Sequence, residues 1–128
     1  MNDPSSRPKF ILLLDSDSLM STVLREVLES AGYVVVSAGD LGTAVDRLLE
    51  LPPDLLIISP YINSMSGRMA ADYLRSKCPG LPVLMVGGFI DDNRISDPNE
   101  IHAIHTFPKP FKPRDLLAEV RKILMKTR

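Results

Sequence analysis

Three short groups of residues have types and spacing that could carry chemistry. Two carboxylates flank a serine in Asp15-Ser16-Asp17, Ser59 ends an apolar run, and Lys109 stands between two prolines. Clustered carboxylates bind hard cations such as Mg²⁺, and a lysine ammonium can offset nearby negative charge. A serine acts as a nucleophile only beside a base. The two histidines, His102 and His105, do not have the spacing of a triad, so a nucleophilic Ser59 is disfavoured.

The absence of other motifs from the sequence argues against several classes of function. There is no glycine-rich phosphate loop, the two histidines have no further ligands at metal-binding spacing, and Cys78 is the single cysteine, so no internal disulfide can form. No apolar run approaches the roughly 18 residues that span a membrane. The polar residues 1–8 predict a flexible N-terminal arm, and we expect a cytoplasmic protein with one domain over residues 9–126.

Apolar runs alternate with amphipathic segments along the chain, and this alternation predicts the elements that position the site. The predicted strands are 9–14, 33–36, 55–58, 82–86 and 104–107. Apolar residues at helical spacing predict four helices, over 19–28, 41–49, 69–74 and 116–124. The first carries Leu19, Met20, Val23, Leu24, Val27 and Leu28; the second carries Leu41, Ala44, Val45, Leu48 and Leu49; the third carries Met69, Ala70, Tyr73 and Leu74. Asp40 is the expected cap of the second helix, and Gly32 ends the first.

Such alternation predicts an α/β fold, with a parallel sheet between helices on both faces. Residues 91–105 have no clear pattern, although Asp97-Pro98 could begin a short helix. Pro108 cannot donate a ladder hydrogen bond, so the strand before it should lie at a sheet edge.

The chain resembles the receiver domain of bacterial response regulators from about Lys9 to Leu124. The resemblance rests on the acidic cluster after the first strand, on Leu55-Leu56-Ile57-Ile58-Ser59 followed by Met65-Ser66-Gly67, on Leu81-Pro82-Val83, and on Lys109-Pro110-Phe111. It implies a flavodoxin-like three-layer sandwich with a five-stranded parallel sheet of order 2-1-3-4-5. It also implies a site at the carboxyl ends of the first and third strands, at the topological switch point.

The resemblance places Asp15, Ser16, Ser59, Gly87 and Lys109 in that site, and the sequence departs from the family at most of them. Ser16 stands in place of the second metal-binding acid, and Ser59 in place of the phosphoacceptor aspartate. Gly87 replaces the family's Ser or Thr. Lys109 is kept, and the family places a cis peptide bond between it and Pro110, which the sequence permits.

Three further positions complete the predicted cluster. Thr106 stands where the family commonly has an aromatic residue, with Phe107 adjacent. Asp17 is one residue beyond the acid pair, and the third metal ligand would be the backbone carbonyl of Tyr61. Asp15 and Asp17 are either a residual cation site or a solvated acid cluster, with Lys109 as a partner that could replace the metal electrostatically. We expect no resident cofactor and weak or absent Mg²⁺ binding.

The resemblance implies a receiver domain in two-component signalling, and the missing acceptor favours a phosphorylation-independent module that binds proteins and is not an enzyme. Expected partners are a sensor kinase, another receiver, an output domain or a second copy of the chain. They would dock on the face of the fourth strand, the fifth strand and the final helix, where residues 112–128 have six basic residues against two acidic. Neither a membrane nor direct nucleic-acid binding is expected. Two alternatives stay open: phosphorylation at an atypical acidic residue, or a small flavodoxin-like nucleotide binder or enzyme.

Overall fold

A computed structural model describes residues 8–87, 104–108 and 111–126 of the chain. Its strands are β1 (Phe10–Leu14), β2 (Val34–Ala38), β3 (Leu55–Ile58), β4 (Tyr61–Ile62), β5 (Met65–Ser66), β6 (Val83–Val86) and β7 (Ile104–Phe107). Its helices are α1 (Ser18–Ser30), α2 (Leu41–Glu50), α3 (Gly67–Lys77) and α4 (Pro113–Lys126).

Five of the strands form one parallel sheet of order β2-β1-β3-β6-β7. Counting only these five, the order is the predicted 2-1-3-4-5. The strand before Pro108, β7, lies at one edge of the sheet, which confirms the expectation from the proline.

Alternate residues of the sheet face two separate cores, and this explains the continuous apolar runs of β1 and β3. Leu12, Leu14, Leu56 and Ile58 pack with α2 and α3, whereas the intervening residues of the same strands pack with α1 and α4. All four residues of β3 are fully buried. A strand covered by helices on both faces has no polar side to alternate with, so the three-layer arrangement is confirmed.

Local signals set the helix boundaries. The carboxylate of Asp40 accepts a hydrogen bond from the Thr43 N–H (2.8 Å), as predicted for a cap. Gly32 follows α1 with φ of 95°, a conformation that favours glycine. Pro113 occupies the first position of α4, where its missing N–H has no helical partner to lose.

Part of the predicted apolar pattern lies on the surface. The side chains concerned are Leu19 and Val23 in α1, Leu49 in α2, and Met69 and Tyr73 in α3, all exposed. The prediction that Leu49 faces the core is therefore wrong, because only about one side of a helix can meet the sheet and Ala44 and Leu48 already occupy it. The suggested short helix near Asp97 lies outside the described residues. No helix in the described part of the chain is long and apolar enough to cross a membrane.

Candidate functional site

The carboxyl ends of β1 and β3 meet at the point where the chain departs to opposite sides of the sheet. The Ser59 N–H donates to the Leu14 carbonyl oxygen (3.2 Å), which places Ser59 beside Asp15 at the ends of the two strands. Gly87 directly follows β6, the next strand in the sheet. Such a crevice at a switch point is where open α/β sheets bind ligands.

Asp15 forms the buried floor of this crevice. The residue is 6% exposed, its N–H donates to the Ala38 carbonyl oxygen (3.1 Å), and its Oδ1 accepts from the Asp17 N–H (2.9 Å). The turn after β1 is thus closed by the Asp15 side chain itself, which fixes the carboxylate where the predicted site requires it.

Asp17 is not brought into the site. Its Oδ1 accepts hydrogen bonds from the N–H groups of Leu19 (3.0 Å) and Met20 (3.3 Å), so the side chain caps the N-terminus of α1. The acid cluster that looked contiguous in the sequence is divided, because one carboxylate lies in the crevice and the other is engaged by a helix.

The Ser59 hydroxyl has a specific backbone partner. Its Oγ donates to the Tyr61 carbonyl oxygen over 2.9 Å. This carbonyl is the oxygen that the family resemblance implies as a metal ligand. The Ser59 hydroxyl therefore donates to the same carbonyl oxygen that a bound cation would use as a ligand.

A β-hairpin that the apolar pattern of the sequence does not reveal follows Ser59. Strands β4 and β5 pair antiparallel, Ile62 is buried in the α2–α3 core, and Asn63 has the left-handed φ of 55° that asparagine tolerates in tight turns. The Asn63 N–H donates to Ser16 Oγ (3.2 Å). Ser16 thereby ties the loop after β1 to the hairpin after β3.

Gly67, directly after the hairpin, lies against the backbone of Ser59 and Pro60. It is buried at the start of α3, and its N–H donates to the Pro60 carbonyl oxygen (2.5 Å). A Cβ on this residue would overlap the Ser59 carbonyl oxygen, so the close approach of the two segments requires glycine here. The Met65-Ser66-Gly67 motif is thus explained by packing, with Ser66 Oγ capping α3 by accepting from the Met69 N–H (3.0 Å).

The remaining predicted site residues lie toward the other edge of the sheet. Gly87 donates its N–H to the Phe107 carbonyl oxygen (2.9 Å) and has a φ of 105°. Thr106 is half-buried in β7 in register with Met85, and His105 is half-buried beside Leu84. Lys109, Pro110 and His102 lie outside the described residues.

The described residues contain no group of three or more His, Cys, Asp or Glu side chains that could hold a metal ion. The crevice continues into a cleft between the first turns of α1 and the loop after β2, and this cleft is lined mainly by small polar groups. Its lining includes Asp15, Ser16, Ser18, Ser21, Thr22 and Ser37. Among the described residues, the site therefore has one buried carboxylate, that of Asp15, with several hydroxyl groups around it.

The strand order, the two helical layers and the crevice at the switch point define a flavodoxin-like α/β protein. Over residues 11–121 the chain matches the family model described as response regulator receiver domain. The chain belongs to this family, which places it among the receiver domains of two-component response regulators.

Curated relatives agree with this assignment. The response regulator receiver protein CpdR of Brucella abortus is 32% identical over 117 residues, which cover 91% of this chain and 98% of CpdR. The DNA-binding response regulator MtrA of Mycobacterium tuberculosis is 32% identical over 111 residues, 87% of this chain and 48% of MtrA. The chain thus spans about half the length of MtrA and nearly all of CpdR.

Solved structures show the same fold. A putative response regulator from Chloroflexus aurantiacus superposes with a TM-score of 0.79 at 28% identity, covering 92% of this chain and 98% of that one. The chemotaxis protein CheY4 of Vibrio cholerae gives a TM-score of 0.81 at 21% identity, covering 91% and 98%. The latter similarity speaks for the fold alone.

Proposed function

We propose that this receiver domain transmits signals as a phosphorylation-independent protein-interaction module of a cytoplasmic two-component system. The observation that carries the proposal is the hydrogen bond from Ser59 Oγ to the Tyr61 carbonyl oxygen. It supplies, without a metal or a phosphoryl group, a fixed connection at the position where the family performs its chemistry.

Ser59 is a poor phosphoacceptor on chemical grounds. Aspartyl phosphorylation needs a carboxylate that is already ionised, whereas a hydroxyl must first lose its proton to a base. The hydroxyl proton of Ser59 is committed to the Tyr61 carbonyl. The carboxylate beside Ser59 across the strand ends is that of Asp15, one of whose oxygens accepts from the Asp17 N–H.

The donor set around the crevice does not fit Mg²⁺, and we infer that Mg²⁺ binding is weak or lost. Mg²⁺ demands near-octahedral oxygen ligation and is usually anchored by carboxylates. Ser16 and Ser59 supply neutral hydroxyls at the two positions where the family has acids, and both hydroxyls bond to the hairpin backbone instead. The Tyr61 carbonyl is likewise occupied.

Atypical acceptors are poorly placed to take over the reaction. Asp54 precedes β3, at the opposite end of the sheet from Ser59, and its Oδ2 accepts from the Phe10 N–H (2.8 Å). Asp17 caps α1. Transfer to either residue would require it to give up a structural hydrogen bond, and neither lies beside the position that a receiver uses.

The proposed output surface consists of β6, β7 and α4, and it would bind a sensor kinase, another receiver, an output domain or a second copy of the chain. The Phe107 and Phe111 rings, 5.8 Å apart, connect β7 to the segment before α4. On α4 the side chains of Arg114, Arg121 and Lys122 are exposed. The exposed basic side chains of α4 favour a partner with an acidic surface.

The proposal is tested by intact-mass measurement after treatment with acetyl phosphate and Mg²⁺. We expect no phosphoryl adduct on the parent chain. A stable adduct that maps to Asp15, Asp17 or Asp54, and disappears when that residue is changed to Asn, would refute phosphorylation independence.

A matched variant tests whether the two serines, and not another property of the fold, prevent phosphorylation and Mg²⁺ binding. Changing Ser16→Asp and Ser59→Asp together restores the family's acids at the two positions where hydroxyls now bond to the hairpin. We expect this double variant to bind Mg²⁺ and to gain a Mg²⁺-dependent adduct at residue 59, while each single variant gains little. A double variant that stays unmodified would show that other departures, such as Gly87, also block the reaction.

A further inference from the structure

The edge strand β2 has none of the usual protection of a sheet edge in its own sequence. Its sequence, Val34-Val35-Val36-Ser37-Ala38, has no charge and no proline, and within the described residues it pairs with β1 alone. Val34 is 48% exposed, and the exposed Leu51 lies beside it in a shared surface groove. Natural proteins normally place lysine, proline or a bulge on such an edge because an open apolar strand pairs with another strand.

The hydrogen-bonding groups that point away from the sheet can be identified from the ladder. The Val34 N–H donates to Lys9 O (3.0 Å), and the Asp15 N–H donates to Ala38 O (3.1 Å). In a parallel ladder every second residue of a strand hydrogen-bonds to the neighbouring strand. Val34, Val36 and Ala38 therefore direct their backbone N–H and C=O groups toward β1. Val35 and Ser37 therefore direct their N–H and C=O groups outward along the open edge.

We propose that a second copy of this chain binds here, by antiparallel pairing of the two β2 strands about a two-fold axis at Val36. Val35 of each copy then exchanges both backbone hydrogen bonds with Ser37 of the other, which uses all four outward groups. The two five-stranded sheets become one continuous sheet. A two-fold contact is self-complementary, as this register requires.

The side chains and charges at the edge favour a copy of the same chain over an unrelated segment. Val36 meets its own counterpart at the axis, and the exposed Val34 covers Ala38. The groove along the edge is lined by Arg25 and Arg47, each paired with a glutamate of its own helix: Arg25 with Glu29 (3.2 Å) and Arg47 with Glu50 (3.5 Å).

These pairs leave the groove with balanced charge. Two identical surfaces of mixed sign can meet without net repulsion, whereas a strongly charged peptide finds no complementary field. A single strand edge with its flanking helix ends is small beside the roughly 800 Å² per partner of a standard interface, so the dimer is a weak, concentration-dependent one.

Cysteine cross-linking tests the register directly. In a Cys78→Ser background, Val36→Cys places two cysteines opposite each other at a non-hydrogen-bonded pair, where the Cα atoms are about 4.5 Å apart and a disulfide fits. Val34→Cys is the matched control, because residue 34 faces residue 38 of the other copy and not itself. We expect covalent dimer from Val36→Cys only. Equal cross-linking of both variants, or of neither, would overturn the proposal.

Sedimentation velocity provides an independent readout that does not depend on a cysteine at a half-buried site. Val34→Lys should raise the dimer dissociation constant about tenfold, because the change enters the interface twice. Met69→Lys, on the exposed face of α3, should leave it unchanged. Hydrogen exchange of the Val35 and Ser37 amides should slow as chain concentration rises. Protection that is independent of concentration would assign the edge to another occupant and refute self-association there. A dimer that Val34→Lys does not weaken would also refute it.

Discussion

Gly67→Ala should destabilise the domain strongly although it adds a single methyl group. The new Cβ would overlap the Ser59 carbonyl oxygen and lie 3.1 Å from both the carbonyl carbon and the oxygen of Pro60. These are backbone atoms held on both sides: the Ser59 N–H is bonded to Leu14 O, and Pro60 O accepts from Gly67 itself. Relief of the overlap therefore requires the hairpin and the start of α3 to separate.

The size of the effect follows from three terms. Overpacking a close contact costs about 1–3 kcal/mol, and loss of the hydrogen bond from Gly67 to Pro60 costs about 1 kcal/mol. The reduced freedom of the unfolded chain returns about 0.4–1 kcal/mol. The net loss of about 1–3.6 kcal/mol, centred near 2, is a large part of the roughly 5–15 kcal/mol that stabilises a domain. For a chain of this length it lowers Tm by about 10 °C.

The assay is urea unfolding followed by far-UV circular dichroism, with Gly42→Ala as the matched control. Gly42 lies in α2, and its nearest neighbour for a Cβ is Asp40 Oδ1 at 3.6 Å, an ordinary contact. Alanine should leave stability unchanged there or raise it by up to about 1 kcal/mol. The reasoning fails if Gly67→Ala unfolds within about 0.5 kcal/mol of the parent, a difference no larger than that of a neutral surface substitution.

Three smaller effects are expected at other positions. Ser59→Ala removes the hydrogen bond to the Tyr61 carbonyl and should cost about 1 kcal/mol in urea unfolding, and an unchanged midpoint would argue against that bond. The backbone N–H of Thr43 holds the pKa of Asp40 below its ordinary value, so this cap stabilises the fold above the unfolded-state pKa and is lost as pH falls through the lowered one. Asp40→Asn, which caps without titrating, should flatten the acid limb of the stability profile, and an unaltered limb would contradict this. Burial raises the pKa of the Cys78 thiol, so a thiol reagent at neutral pH should modify the folded chain more slowly than the urea-unfolded chain, and equal rates would refute the burial argument.

The sheet was predictable from the sequence because its central strands are buried on both faces. Leu55–Ile58 and Phe10–Leu14 are read as strands since an uninterrupted apolar run of four or five residues is too short for a buried helix. Pro108 likewise placed the strand before it at an edge. The burial of helix residues was less predictable, because Leu19 and Leu49 are apolar at helical spacing yet lie outside the arc that contacts the sheet.

The site was predictable in its location and incompletely in its contacts. Asp15 and Ser59 lie together because they follow adjacent parallel strands, which is a property of topology. The capping role of Asp17 had a recognisable signal, since an aspartate directly before an amphipathic segment commonly caps it. The hydrogen bond from the Asn63 N–H to Ser16 Oγ had no such signal, because it joins residues 47 apart through a two-residue hairpin turn that hydrophobic patterning does not reveal.

Gly87 bears on how such a receiver can change over evolutionary time. With a φ of 105° it occupies a backbone conformation that residues with a side chain rarely adopt. Replacing it with Ser or Thr, the residue types that the family uses there, would strain the turn after β6 before any signalling benefit appeared. A side-chain hydroxyl at residue 87 would therefore require the backbone after β6 to be reshaped first. The backbone at Gly87 thus restricts which residue types this position accepts, whatever residue stands at position 59.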